Sequence, residues 1–364
     1  MTATELFFDL VYVFAVTQLS HLLLGHLTPR GALETAVLLA AVWWAWNYTA
    51  WATNWIDPDR PPVRALLIGL MLLSLIMSAA IPEAFDGRGL QFAGAFVAMG
   101  LVRGAFMVYA LRGSRMGRNY AQLTAWTAIA GAVWIVGALL DGDARLATWL
   151  LALALDYAAP LHGFQLPGAG RTPTADWTLA GGHLAERGQL VVLIALGESL
   201  LAAGKTFSDL ETEPAVVFAF VSGFFMSVSL WSAYFIRSAQ EGARVISQAT
   251  DPTRVARSAY AYAHGLMVGG IIVAAVGIDL AIEHPGGQTA TSTAATILGG
   301  PGLYLLGSAL FNWSLTGIPP TSRLAGVAVL ALLSPVALVA GPAALLCMAA
   351  VVVLVLALAT GRPH

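Results

Sequence analysis

The chain has 364 residues, of which 58% are hydrophobic and only 10% charged, with a formal net charge of −2. A typical soluble domain carries roughly 25% charged residues, so these side chains cannot cover a water-exposed surface, and a soluble globular protein is excluded. The near-neutral balance gives no bulk basicity for nucleic acid, and the single cysteine, Cys347, excludes an intramolecular disulfide framework or a multi-cysteine metal site.

Runs of about 20 apolar residues cross the hydrocarbon core of a bilayer, and they do so as helices because the backbone must satisfy its own hydrogen bonds there. The pattern predicts an all-α, polytopic integral membrane bundle of about twelve spans. They lie near 5–24, 33–54, 63–81, 90–111, 121–140, 145–160, 183–203, 215–237, 259–282, 294–316, 322–339 and 342–360. The sixth is short, and only Gly341 and Pro342 separate the last two. The first run carries Glu5 and Asp9 where a secretory signal would carry Lys or Arg, so no cleavable signal peptide is expected. Connections that follow even-numbered spans hold eleven Arg residues, among them Arg60, Arg112, Arg237 and Arg323; those that follow odd-numbered spans hold four Lys or Arg, Arg30, Arg88, Arg145 and Lys205. By the positive-inside rule both termini are expected in the cytoplasm and the protein in the plasma (inner) membrane.

Ionisable side chains inside spans are the candidates for function, because each costs at least about 2.5 kcal/mol at the centre of a membrane helix. In the first span Glu5, Asp9 and Tyr12 share one helical face, with Asp9 a turn deeper than Glu5. Glu5 also suits a helix N-terminus, where an acid complements the dipole. The second span is rich in Trp and Tyr between Trp43 and Trp55, and fits either a cavity wall or an interfacial belt. Arg103 sits inside the fourth span, and Asp9 or Asp156 is its natural partner. The seventh span places His183, Arg187 and Glu198 along one stripe of about 22 Å, while Glu186 points to a different neighbour.

The two halves are weakly alike. Glu5 corresponds to Glu186, the Trp43–Tyr48 stretch to Trp231-Ser232-Ala233-Tyr234, and Gly69-Leu70-Met71 to Gly265-Leu266-Met267. An acid follows each of those Met residues by twelve positions, Glu83 and Asp279. These matches suggest a six-plus-six repeat with an N-terminal half at 1–182 and a C-terminal half at 183–364. Chance similarity between Gly-, Ala- and Leu-rich helices is the competing reading.

Two stretches resemble the bacterial low temperature requirement protein A (LtrA) family. The first is Glu5-Leu6-Phe7-Phe8-Asp9-Leu10-Val11-Tyr12-Val13-Phe14-Ala15 with Gln18-Leu19-Ser20-His21. The second is His183-Leu184-Ala185-Glu186-Arg187 continuing to Ile194-Ala195-Leu196-Gly197-Glu198-Ser199. The resemblance implies a multi-pass inner-membrane protein and supplies no biochemical activity. The chain departs from the family's pattern in reaching Glu5 almost at once, without a longer polar lead.

Three functions compete. In a secondary transporter or permease-like protein, Asp9 and Glu198 bind a proton or substrate, with Arg103 and Arg187 as counter-charges. In an intramembrane enzyme acting on a lipid or isoprenoid-like substrate, Glu186 or Glu198 is the general acid. A membrane sensor or structural protein has no turnover. There is no phosphate-binding P-loop, nucleophile elbow or zincin motif, and His21 and His26 lack acidic neighbours, so neither a cofactor nor a metal is expected. The expected partners are the lipid bilayer and a small-molecule or lipid substrate; the oligomeric state is not legible.

Overall fold

The computed structural model describes residues 1–177 and 179–360. Among them the structure is helical without a strand. The helices are α1 (Ala3–Gly25), α2 (Pro29–Ala52), α3 (Pro61–Ala79), α4 (Gly89–Ala110), α5 (Arg115–Ala138), α6 (Gly142–Ala158), α7 (Gly181–Ser208) and α8 (Pro214–Phe235), followed by α9 (Ser238–Gln248), α10 (Pro252–Val255), α11 (His264–Glu283), α12 (Thr291–Thr316), α13 (Thr321–Leu332) and α14 (Pro342–Thr360). A π-helical stretch, Ala256–Ala263, leads into α11.

Local chemistry sets many of these boundaries. Helices α2, α3, α8 and α14 open on Pro, whose fixed φ suits the first helical position and whose missing N–H costs nothing there. Thr2 and Glu5 form a capping box at the start of α1: the Glu5 N–H donates to Thr2 Oγ1 at 3.3 Å, and the Thr2 N–H donates to Glu5 Oε2 at 3.0 Å. The α12 helix stops at Gly317, whose φ of 69° is the left-handed conformation of a helix C-cap.

Every one of the twelve expected spans coincides with a helix. Among the described residues, ten helical segments are long and apolar enough to cross a membrane; α2 and α6 fall outside that set. The α6 helix has only 17 residues, and the Trp, Tyr, Asn and Thr side chains of α2 lower its hydropathy. Large apolar side chains stand exposed along the helices, among them Phe7, Leu72, Leu201 and Val355, as a lipid-facing surface requires and a water-facing one does not tolerate.

The chain divides into two compact units. The first comprises Met1–Leu22, Pro29–Leu184 and Asp251–Arg254, and the second Leu23–Thr28, Ala185–Thr250 and Val255–His364. In the first, α3 packs on α4, α4 on α5 and α5 on α6, with α2 against α4 and α6. Its core at one end gathers Met107, Tyr120, Leu123, Phe164 and Trp177. The connection after α6 is tied into this core rather than free. Trp177 packs edge-on to Tyr120 at 5.5 Å, Gln122 donates to the carbonyls of Ala169 and Gly170, and Arg115 pairs with Asp176 at 2.8 Å.

In the second unit α11 and α12 pack closely. Their contact is made through glycines: a Cβ at Gly270 would stand 2.4 Å from the Tyr304 nitrogen, and one at Gly300 2.4 Å from the Ala274 nitrogen. Only Gly lets two backbones approach so closely. The connection 238–258 holds α9, which buries Ala239, Gly242 and Ile246.

Candidate functional site

In the first unit α1 and α2 bring the acids of the first span against the aromatic second span. Asp9 is fully buried, and its Oδ1 accepts a hydrogen bond from the Trp46 indole at 2.7 Å. Trp46 in turn stacks on Trp43 with ring centroids 4.9 Å apart. Glu5, 1% exposed, places Oε1 2.9 Å from His183 Nε2 at the start of α7. The structure therefore joins two residues that the sequence places on separate spans. Glu5 has two tasks: capping α1 with one oxygen and meeting a histidine with the other.

Arg103 of α4 is 2% exposed. It donates to Thr49 Oγ1 at 3.1 Å and to the Ala45 carbonyl at 3.3 Å, and its guanidinium lies 5.2 Å from the centre of the Tyr48 ring. This corrects the expected direct ion pair: neither Asp9 nor Asp156 bridges to Arg103. The Asp156 Oδ2 instead accepts from the Trp134 indole at 2.9 Å. Trp149 donates to the Trp134 backbone carbonyl at 3.0 Å and packs against the Trp134 ring at 5.3 Å. Arg103 and Asp156 nevertheless face the same small cavity, of about 20 Å³, between Trp44, Tyr48 and Gly100. That is enough for about one water molecule. A guanidinium and a carboxylate that share a water-sized space inside a membrane helix bundle can hold or pass a proton. They cannot enclose an organic molecule there.

In the second unit Arg187 of α7 is completely buried, and Glu198, also on α7, is 9% exposed. Glu186 lies on the exposed side of the helix. Beside Glu198, Ser199 donates to the Leu196 carbonyl at 2.7 Å and lies 3.4 Å from Ser227 Oγ of α8. Asp279 of α11 is buried, accepts from Thr206 at 3.3 Å, and is close enough to Glu198 to sense its charge.

Two constellations escaped the sequence reading. His264 is fully buried in the second unit where the π-helical stretch meets α11. Its Nδ1 lies 2.9 Å from the Ala259 carbonyl and its Nε2 2.8 Å from the Tyr234 hydroxyl. A carbonyl only accepts, so Nδ1 carries the proton, and the neutral ring accepts from Tyr234 at Nε2. Tyr260 stacks on the imidazole at 4.8 Å and Phe311 meets it edge-on at 4.9 Å. Such π-helical turns often accompany functional sites, but nothing in the residue types announces one.

Arg145 is the second case. Counted as a loop cation, it is 4% exposed and donates to the carbonyls of Leu140, Ala84 and Asp86 at 2.8, 3.0 and 2.7 Å, and to Asp141 at 3.1 Å. Asp141, four residues earlier, was the available signal.

Long apolar helices with exposed aliphatic faces and charged groups buried inside them define a multi-pass α-helical membrane protein. Its family follows from comparison: the profile of the bacterial low temperature requirement A protein (LtrA) family matches residues 1–358, and the chain belongs to that family. It is also similar to an uncharacterised protein of Rhizobium meliloti (strain 1021), 37% identical over 329 residues, covering 90% of this chain and 80% of that one. No solved structure matches the chain.

Proposed function

We propose that the protein is a secondary transporter or permease-like protein of the inner membrane, whose buried carboxylates bind a proton. One observation carries this reading. Arg103 and Asp156 face a common space of about 20 Å³ deep in the first unit, and Asp9, buried in the same unit, is held by an indole N–H. Carboxyl groups kept out of lipid contact, beside a fixed counter-charge and room for one water, are what a proton relay in a membrane protein requires. Glu198 with Asp279, buried in the second unit, are a second carboxyl pair suited to the same task.

The space bears on the enzyme alternative. A roomier groove of about 610 Å³ runs between α12 and α13 in the second unit, but none of its lining residues is ionisable. A lipid-sized substrate there would meet no general acid.

Infrared titration of the purified protein tests the proton site. A carboxyl C=O band that appears and disappears with pH should be lost in Asp156→Asn or Asp9→Asn. In proteoliposomes loaded with a pH-sensitive dye, a screen of small solutes should find one that moves protons with the wild type and not with either variant. A titrating band untouched by both substitutions, together with unchanged solute-driven proton movement, would refute the assignment.

A further inference from the structure

The second unit holds a polar pocket that the proton-site reading does not use. It has a volume of about 250 Å³ and is formed where α8, α9, α12 and α13 meet; its lining includes Ser232, Arg237, Ser238, Glu241, Asn312 and Arg323. This is several times the roughly 30 Å³ that one water occupies in the liquid. Arg323 is partly buried, and both of its bonded nitrogens are tied to neutral groups: Nε donates to Ser308 Oγ at 2.7 Å and Nη2 to Ser238 Oγ at 2.8 Å. Among the described residues it has no carboxylate partner. The two serines orient the fork without neutralising it.

Arg237 lines the same pocket and is close enough for the two guanidinium groups to repel each other. The one acid in the lining, Glu241, is already engaged, accepting from Arg244 at 2.6 and 3.2 Å. Two arginines thus line a hollow whose one carboxylate, Glu241, is hydrogen-bonded to Arg244 and close enough to Arg237 to feel its charge. A planar fork held at two nitrogens, with a second cation in the same lining, matches the oxygens of a phosphate group.

We propose that this pocket binds a phosphate oxyanion, with Arg323 and Arg237 as its cationic contacts. The same chemistry is offered by the headgroup of an anionic phospholipid and by inorganic phosphate. Basic pockets between membrane helices commonly take lipid headgroups in this way.

The test is thermal unfolding of the full chain, followed by tryptophan fluorescence in nanodiscs. Three conditions are compared: phosphatidylcholine alone, phosphatidylcholine with phosphatidylglycerol, and phosphatidylcholine with millimolar inorganic phosphate. Binding of an anion to the native state should raise the midpoint by about 3 °C or more. The rise should vanish in Arg323→Gln and in Arg237→Gln. The second variant alters an exposed side chain, so it reports even if the first misfolds. Arg64→Gln, at an exposed position in the first unit, should keep the rise and so exclude a general effect of membrane charge. A rise with phosphatidylglycerol alone identifies a lipid headgroup, and a rise with inorganic phosphate identifies a free anion. No rise with either anion, or a rise that survives Arg237→Gln, overturns the proposal.

Discussion

The bond between Asp9 and Trp46 allows the state of the buried carboxyl to be read by energetics. Trp46 is 2% exposed, Asp9 is 0% exposed, and the indole nitrogen lies 2.7 Å from Oδ1. Trp46→Phe removes the donor and Asp9→Leu the acceptor. Each also perturbs packing, but a double-mutant cycle cancels those terms and leaves the coupling. Interhelical hydrogen bonds between neutral groups in membrane proteins couple by about 0.6 kcal/mol on average, whereas a bond to an ionised group contributes about 1.5–3 kcal/mol. The coupling therefore separates a protonated Asp9 from an ionised one. The transport reading expects both forms to be accessible. At acidic pH the coupling should lie near the lower figure, and at alkaline pH near the upper one. Reversible unfolding of the four proteins in mixed micelles, at two pH values, measures it. A coupling below about 0.3 kcal/mol at both would mean that the contact does not matter in the folded protein. A coupling that is substantial but independent of pH would mean that Asp9 does not titrate.

Three other perturbations follow from the geometry. Gly300→Val forces a side chain against the α11 backbone, where the first added carbon already meets Ala274 at 2.4 Å; the cost should reach or exceed about 3 kcal/mol in the same unfolding assay. Gly299→Val, whose Cβ has nothing within 4 Å, should be nearly silent. Arg145→Ala strands the carbonyls of Ala84, Asp86 and Leu140, and at about 1–3 kcal/mol for each buried group left unsatisfied the folded yield should collapse, with proteolysis first appearing at residues 80–88. Orientation is open to cysteine labelling in a Cys347→Ser background. An impermeant maleimide added to intact cells should modify Glu211→Cys and leave Arg112→Cys untouched, and the reverse result would invert the proposed topology.

The parts of the fold that were legible in the sequence are those fixed by bulk hydrophobicity. Spans such as Pro61–Ala79 and Gly89–Ala110 are simple apolar runs, and a bilayer leaves them no alternative to the helix. The candidate site was legible one residue at a time and not as pairs. Asp9, Glu5 and Arg103 could be singled out because burying a charge is costly. That Asp9 would meet an indole and Arg103 a threonine depends on helix rotation, which residue identity does not encode. Tryptophan was the misleading signal: Trp46 is read as part of a cavity wall or interfacial belt and Trp134 draws no reading at all, yet each supplies the N–H that holds a buried carboxyl group. Arg145 shows the opposite error, since an Arg beside a loop is ordinarily solvated, and here it closes the loop's carbonyls.

The internal similarity can be argued further from packing inside each unit. If α2 to α6 correspond to α8 and α11 to α14, taken in order, each contact of the first set has a counterpart in the second, which adds α8–α11, α11–α14 and α12–α14. The α3–α4 pair corresponds to α11–α12, α4–α5 to α12–α13, and α5–α6 to α13–α14. More informative are the partners distant in sequence, since neighbours in a chain tend to pack in any bundle. The α2 helix meets both α4 and α6, and α8 meets both α12 and α14. A six-plus-six repeat would place a second-to-sixth closure in both sets. The sets have also diverged: α11 packs on α8 and α14 as well, and its glycine contacts with α12 tighten that pair. On this reading Asp279, beside a threonine hydroxyl on α11, has its counterpart in Glu83 after α3, while Asp156, set in an aromatic wall on α6, has no acidic counterpart in α14.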